Sequence, residues 1–322
     1  MQKFMKFLLA AAMLILLPNA WGQAYPTLKP VRIIVAAGAG SGSDVSARMF
    51  ADLLSRATGQ KFVVENRVGG GGNIGLVAGA RAAPDGYTLV LGNLGGNVLN
   101  QFLYSSLDFD PEKDFEPIIQ LAGLPFLICV TPSFPANSIA ELVAAAKEKP
   151  NSINIAIDST SVRVIHELYK LGTGSQLFPI SYNGPTAAIA DTLSGRVPVL
   201  IETLGALRSF VSSGKLKALA ITTRKSSELM PEVKSMVELG YPNFGEYVGW
   251  VALMAPKGTP REVITLINTE MNKIIALPDT RRRLAELGFE AKSGSPQDLA
   301  DFVASERARF GPIIRAANIK AE

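Results

Sequence analysis

The sequence predicts an α/β protein of two lobes joined by two crossing strands. Three observations carry this. Strand-like and helix-like apolar patterns alternate along the chain, which favours helices packed on mostly parallel sheets. The 322 residues exceed what one ordinary core supports, so two domains are expected. Two long apolar stretches, Ile118 to Val130 and Tyr247 to Ala255, stand where the chain would cross to a second domain and return. A double crossing gives a clamshell, whose closure traps a ligand.

The elements follow in order. Lys3 and Lys6 precede an uninterrupted apolar run of eleven residues, Phe7 to Leu17, which Pro18 ends. That run is too short to span a bilayer, and Gly22-Gln23-Ala24 offers small residues for cleavage. Residues 1–24 therefore read as a secretory signal peptide cleaved after Ala24. Val31–Val35 is a β-rich run, and Val45, Met49, Phe50, Leu53 and Leu54 then recur at helical spacing. Lys61–Glu65 is the next strand, Asn73–Ala82 a small-residue helix, Pro84-Asp85-Gly86 a turn and Tyr87–Leu91 a third strand.

Beyond the first crossing, helices are predicted at Ile139–Lys147, Ser161–Leu171 and Thr186–Leu193. Strands are predicted at Ile153–Ile157, Phe178–Tyr182, Val197–Ile201 and Ala218–Thr222. After the return crossing, Thr259–Leu277 is amphipathic with Pro260 near its first turn, and Ser295-Pro296 opens a last helix over Leu299–Arg309. The domain division is thus residues 25–124 with 248–322 for the first lobe and 125–247 for the second.

Composition excludes several classes. Without Lys3 and Lys6 the chain carries 30 basic and 28 acidic residues, a net charge of +2, and has no long basic stripe. Nucleic acid is not an expected partner. Arg281-Arg282-Arg283 reads as a solvated helix face. The one cysteine, Cys129, sits in the apolar run Phe126–Val130 and has no partner for a disulfide. The one histidine, His166, lies on a predicted helix without companions for metal or nucleophilic work. No metal and no cofactor are expected.

The chemistry-bearing pattern is a pair of glycine-rich loops, each between a strand and a helix. The first is Ala36-Ala37-Gly38-Ala39-Gly40-Ser41-Gly42-Ser43-Asp44 and the second Gly69-Gly70-Gly71-Gly72-Asn73. Without a Cβ, glycine lets backbone N–H groups approach a ligand, and the helix start adds unpaired N–H groups and a positive dipole end. Two such loops side by side form an anion cradle. A dinucleotide fingerprint does not fit. From Gly38 the final glycine position is Ser43, and from Gly40 it is Val45. A hydrolase does not fit either, because no Gly-x-Ser-x-Gly elbow occurs.

These residues resemble a known family along the whole mature chain. The segments that carry the resemblance include Gly40 to Asp44 with Ala47-Arg48, and Glu65-Asn66-Arg67 with Gly70 to Gly75. Others are Pro84-Asp85-Gly86-Tyr87-Thr88-Leu89, Asp114 to Ile118, Tyr182-Asn183-Gly184, Gly214 to Ala220, and Ala255 to Pro260. Each is weak alone, but their order and spacing are specific. The chain resembles the Bug or TctC-like periplasmic solute receptors, the extracytoplasmic binding proteins of tripartite tricarboxylate transporters.

The resemblance implies a two-lobed periplasmic binding protein of Venus-flytrap, type II-like fold, with no enzymatic activity. It implies a monomer that holds a small organic carboxylate between its lobes and passes it to membrane permease subunits. A ligand-loaded sensor of a signalling system is the alternative. On the first lobe the implied ligand residues are Ala37, Gly38, Ala39, Ser41, Ser43 and Asp44, then Gly71, Gly72 and Asn73, then Asn93. Asp44 is equally suited to capping the helix that follows. On the second lobe they are Ser159, Thr160, Arg163, Tyr182, Asn183, Glu202 and Thr203. Glu202 would accept from a ligand hydroxyl, amine or water, or cap a helix.

Several positions depart from the family pattern. Ala36-Ala37-Gly38 replaces prolines and an aromatic, Asn183 replaces the lysine of Tyr-Lys-Gly, and Glu202 stands where Asp is usual. The loop before Ser161 is shorter by about two residues than the family's Gly-x-Gly-Ser pattern, which supplies backbone donors. Arg163 then falls at a position often held by His. It is expected either to pair with a ligand carboxylate through its planar guanidinium, or to form a surface pair with Glu167 one turn on.

Overall fold

The computed structural model describes Tyr25, residues 29–316 and residues 318–320. The predicted signal peptide and its cleavage point lie outside the described residues.

The first lobe begins with β1 (Val31–Val35), α1 (Gly42–Thr58), β2 (Phe62–Asn66), α2 (Asn73–Ala80) and β3 (Thr88–Asn93). β1 pairs in parallel with both β2 and β3. Four of its five residues are buried, as befits a central strand covered by helices on both faces. α1 buries Ala47, Phe50, Ala51 and Leu54 at i, i+3, i+4 and i+7 against the β1 side of the sheet. Ser41 caps its start, and Gly59 ends it in the left-handed conformation at φ 69°.

After β3 the chain forms a π-turn over Gly95–Leu99 and a short helix α3 (Asn100–Leu103). The apolar periodicity does not announce them, because Gly95-Gly96 and Asn97 interrupt it. All five residues of the π-turn are buried, which fixes the chain where β3 ends.

The first predicted crossing is β4 (Phe115–Val130), a single strand of 16 residues. Its first part, through Pro125, pairs with β9 (Val248–Pro256), which matches the predicted return crossing. From Phe126 onward it pairs instead with β7 (Val199–Thr203) and β8 (Lys217–Ile221). One strand thereby belongs to two sheets. The path runs β2-β1-β3-β9-β4-β7-β5-β6, with β5 (Asn154–Ile157) and β6 (Phe178–Ser181) at the far side. β8 and the short β10 (Glu290–Ala291) also pair with β4.

The expectation of mostly parallel sheets holds only away from β4. β1 with β2 and β3, and β5 with β6 and β7, are parallel. All pairings of β4, and that of β3 with β9, are antiparallel. The reason is topological: a strand that leaves one lobe and the strand that returns to it run in opposite directions.

The helices of the second lobe are α4 (Ile139–Glu148), α5 (Thr160–Thr173), α6 (Pro185–Leu193) and α7 (Leu204–Ser212). α7 was not anticipated, since Gly205 and the polar Arg208 and Ser209 dilute its apolar stripe. It buries Leu204 and Leu207, and Arg208 donates to the Ala285 carbonyl at 3.0 Å. The chain ends with α8 (Arg261–Ala276), α9 (Pro278–Glu286) and α10 (Pro296–Ala316). Arg281, Arg282 and Arg283 are exposed on α9, as a solvated face requires.

One buried hydroxyl ties both crossing points. The Phe126 amide donates to Thr222 Oγ1 at 3.1 Å, and that hydroxyl donates to the Tyr247 carbonyl at 2.6 Å. The Thr222 amide also donates to the Phe126 carbonyl and the Tyr247 amide to the Thr222 carbonyl. Cys129 is fully buried and its thiol is pushed up by burial, so it is an apolar core side chain.

Candidate functional site

The first glycine loop is held in shape by Asp44. Its Oδ2 accepts from the Gly40 amide at 2.9 Å and from Arg48 Nε at 3.1 Å, and its Oδ1 accepts from Asn66 Nδ2 at 2.9 Å. Asn66 Nδ2 also donates to the Ala37 carbonyl, and Arg48 Nη2 donates to Asn66 Oδ1. Burial works to raise the Asp44 carboxyl, but the bonds from Arg48, Gly40 and Asn66 outweigh it and hold it below the usual carboxylate range. Only 3% of Asp44 is exposed. Both oxygens are committed, so the carboxylate shapes the loop.

This bracing leaves donors at the start of α1. The Ser41 hydroxyl accepts from the Asp44 amide, and the Ser41 amide donates to the Gly38 carbonyl. The amides of Gly42 and Ser43 have no partner among the described residues, as expected for a first helical turn.

The second loop lies directly against the first. A Cβ at Gly72 would sit 3.0 Å from the Ala36 carbonyl oxygen. Asn100, fully buried, donates through Nδ2 to the Gly71 carbonyl at 3.0 Å and to Asn73 Oδ1 at 2.6 Å. The Gly72 amide turns back to the Gly69 carbonyl, while those of Gly70 and Gly71 have no partner among the described residues. Asn93 joins from the end of β3, where its Oδ1 accepts from the Gly96 amide at 2.8 Å.

The second lobe meets these loops at two points. A Cβ at Gly42 would lie 2.9 Å from Leu124 Cδ2 and 3.5 Å from Thr203 Cγ2, so the start of α1 packs closely on β4 and on the end of β7. A Cβ at Gly71 would lie 3.2 Å from Thr160 Oγ1 and would run into the Tyr104 hydroxyl. Thr160 is also near Gly95. The start of α5 therefore lies against the second glycine loop, just before α2, and the end of β7, just before α7, lies against the start of α1.

α5 starts at Ser159, whose hydroxyl accepts from the Val162 amide at 3.3 Å. Thr160, Arg163, Glu167 and Lys170 form its half-buried face, while Val162, Val164, Ile165, His166, Leu168 and Tyr169 are buried. The pair of Arg163 with Glu167 is not formed. Glu167 is taken by Lys170 at 2.7 Å, and the Arg163 guanidinium has no hydrogen-bond or ion-pair partner among the described residues. It stands one turn on from Thr160, on the same face. His166 is buried on the other side, and burial lowers it to about 4, so it is neutral at physiological pH.

Two further candidates are placed differently from the rest. The Tyr182 hydroxyl donates to Asp191 Oδ2 at 3.0 Å, and Asp191 also pairs with Arg196 at 2.6 Å. Asn183 is exposed. At the end of β7, Glu202 Oε1 accepts from the Thr203 amide, and burial pushes its carboxyl up against that bond. The Thr203 hydroxyl is buried with no partner.

Sequence reasoning missed Asp158. It follows β5 directly, and the β5–β7 register, with Ala156 opposite Leu200, puts it opposite Glu202. Both Asp158 oxygens are buried without a hydrogen-bond partner. Burial, and then the adjacent Glu202 charge, push its carboxyl up to about 8. The available signal was an acid at a strand end just before a Ser-Thr-Ser helix start.

Residues 46–319 match the model of the family described as "Tripartite tricarboxylate transporter family receptor". The chain belongs to this receptor family. A UPF0065 protein of Bordetella bronchiseptica is 36% identical over 97% of this chain and 93% of that protein. A structure of R. palustris Rpa4515 with adipate superposes with a TM-score of 0.88 at 33% identity, covering 92% of this chain and all but 1% of that one. The periplasmic binding protein BugD follows at TM-score 0.85 and 30% identity, over 92% and 99% of the two chains. Family receptors are periplasmic solute-binding proteins, not enzymes, and the two-lobed α/β fold here is theirs. Among the described residues no helix is long and apolar enough to cross a membrane.

Proposed function

We propose that this receptor captures a small organic carboxylate between its lobes and hands it to the permease subunits of a tripartite tricarboxylate-type transporter. The observation that carries the reading is the meeting of helix starts from opposite lobes, with unpaired amides at Gly42, Ser43, Gly70 and Gly71. Such amides and the aligned helix dipoles favour an anion. The adipate held by the Rpa4515 protein supports a carboxylate as that anion. In this reading the lobes divide at Leu124/Pro125 and Tyr247/Val248, a division supported by β4 changing partners one residue further on, at Pro125/Phe126, and by β9 beginning at Val248.

In this reading the first wall binds one carboxylate through the loop amides with Ser41, Ser43 and Asn73. Ala37, Gly38, Ala39, Gly72 and Asn93 line it. Asp44 acts by fixing the loop. The second wall closes with Ser159 and Thr160, and Arg163 supplies the countercharge by a bidentate pair. Tyr182 and Asn183 stand at its margin.

A thermal-shift screen of dicarboxylates, tricarboxylates, aromatic acids and amino acids, each beside a neutral analogue, tests it. A bound acid at 100 times its dissociation constant adds about 2.7 kcal/mol of stability. If neutral analogues raise the midpoint and no acid does, the carboxylate reading is wrong.

A further inference from the structure

The second wall holds two carboxyl groups that the anion cradle does not use. Asp158 and Glu202 sit side by side at the carboxyl ends of the adjacent parallel strands β5 and β7. That edge is where open α/β sheets bind their ligands. Each acid is followed by a residue at the contact with the first lobe. Thr160, two residues after Asp158, reaches Gly71, and Thr203, next to Glu202, reaches Gly42.

The hydrogen bonding around the pair is incomplete in one direction. Neither buried oxygen of Asp158 receives a bond from a backbone amide or a basic side chain; they face Glu202, and a proton shared by the two carboxyls occupies one oxygen of each and leaves the other Asp158 oxygen unpaired. Thr203 is only 5% exposed, and its hydroxyl also has no partner. Glu202, 7% exposed, receives one bond on Oε1, from the Thr203 amide. Buried acceptors left unpaired are costly, so a group that donates to them gains what solvent no longer supplies. Two adjacent buried carboxyls cannot both ionise freely, and the pair keeps one proton and one negative charge. A second carboxylate of a ligand would meet that charge at low dielectric.

We infer that Asp158, Glu202 and the Thr203 hydroxyl form a distal subsite for a hydrogen-bond donor. The ligand is then a monocarboxylate whose far end carries a hydroxyl or ammonium group. A simple diacid, such as the adipate of the Rpa4515 protein, is disfavoured here. This rests on the carboxylate reading above and narrows it.

Calorimetry on the purified protein at pH 7.5 tests the subsite with three matched sets. Malonate is set against 3-hydroxypropanoate and 3-aminopropanoate. Succinate is set against 4-hydroxybutanoate and 4-aminobutanoate, and adipate against 6-hydroxyhexanoate and 6-aminohexanoate. In at least one set the hydroxy or amino acid binds about tenfold or more tighter than the diacid, or 1.4 kcal/mol. Glu202→Gln removes most of that preference, and Asp158→Asn serves where Glu202→Gln does not fold. Two results overturn the subsite: diacids binding at least as tightly in every set, or a preference unchanged within about twofold in the variant. If none of the nine acids binds, the subsite is overturned, while the carboxylate reading stands or falls by the wider thermal-shift screen.

Discussion

On the first-lobe wall, the polar groups that shape the glycine loops are paired within that lobe. Asp44 is bonded to Gly40, Arg48 and Asn66, and Asn100 to Gly71 and Asn73. The donors that remain free there are mainly backbone amides, at Gly42, Ser43, Gly70 and Gly71. The second-lobe wall shows the reverse. Its backbone is ordinary strand and helix, but the Arg163 guanidinium has no hydrogen-bond or ion-pair partner among the described residues, and Asp158 and the Thr203 hydroxyl face only Glu202. A wall of braced amides recognises any small anion of the right size, because amides carry no further information. A wall of unpaired side chains discriminates, because each must be matched by the ligand. In the proposed reading, capture and choice are therefore assigned to different lobes.

The largest effect expected from breaking this division lies in the bracing. Asp44→Ala removes three hydrogen bonds to a charged, buried group, leaves the Gly40 amide without its acceptor and takes one of the two acceptors of Asn66 Nδ2. Denaturant unfolding should show a loss of about 3 kcal/mol. Affinity should fall for all carboxylates alike, since the loop and not a specific contact is lost. A variant that binds normally would show that the loop keeps its shape without Asp44.

The intermediate effect lies in the countercharge. Arg163→Ala should leave the unfolding midpoint nearly unchanged, because the guanidinium has no partner to lose in this structure. Carboxylate affinity should fall about tenfold or more, or 1.4 kcal/mol. A loss well short of tenfold, measured by calorimetry with the acid that wins the screen, would remove Arg163 from the site.

The contrast between the walls also sorts what could be read without coordinates. The strand Val31–Val35 appears with the predicted bounds, since a buried central strand is a continuous apolar run that turn residues delimit. Both glycine loops and the crossing at Ile118–Val130 were legible for the same local reasons, but the start of α1 was not: Asp44 was the expected cap, whereas Ser41 caps the helix and Asp44 lies in its first turn. The partner of Arg163 was not. Spacing put Glu167 within reach, but Lys170 at the same helical distance takes it. The pairing of Asp158 with Glu202 was hidden more deeply. They are 44 positions apart in sequence and meet only because β5 and β7 share a register. Thr222 likewise shows nothing in its own segment of the role it takes between Phe126 and Tyr247. Backbone-built features announce themselves by glycine and periodicity, whereas features built from long-range side-chain pairs do not.

The smallest effect is on stability against pH, and it isolates the acid pair from any ligand. Burial and then Glu202 raise the Asp158 carboxyl to about 8, above the ordinary 3.8 that the unfolded chain retains. A carboxyl raised on folding binds its proton more tightly in the native state. Its contribution is fully present below the unfolded value and is lost as pH rises through the folded one. The ligand-free protein should therefore lose stability between about pH 4 and pH 8 through this group. Asp158→Asn has no proton to lose there. Its midpoint should match the parent near pH 4 and exceed it at pH 8 by on the order of 1 kcal/mol, roughly 3 °C. His166, which burial lowers to about 4 from 6.5, also changes stability within this window, but it is present in both proteins and cancels in the comparison. Parallel midpoint curves would mean that Asp158 is solvated in the free protein. The donor-seeking wall would then be Glu202 and Thr203 alone.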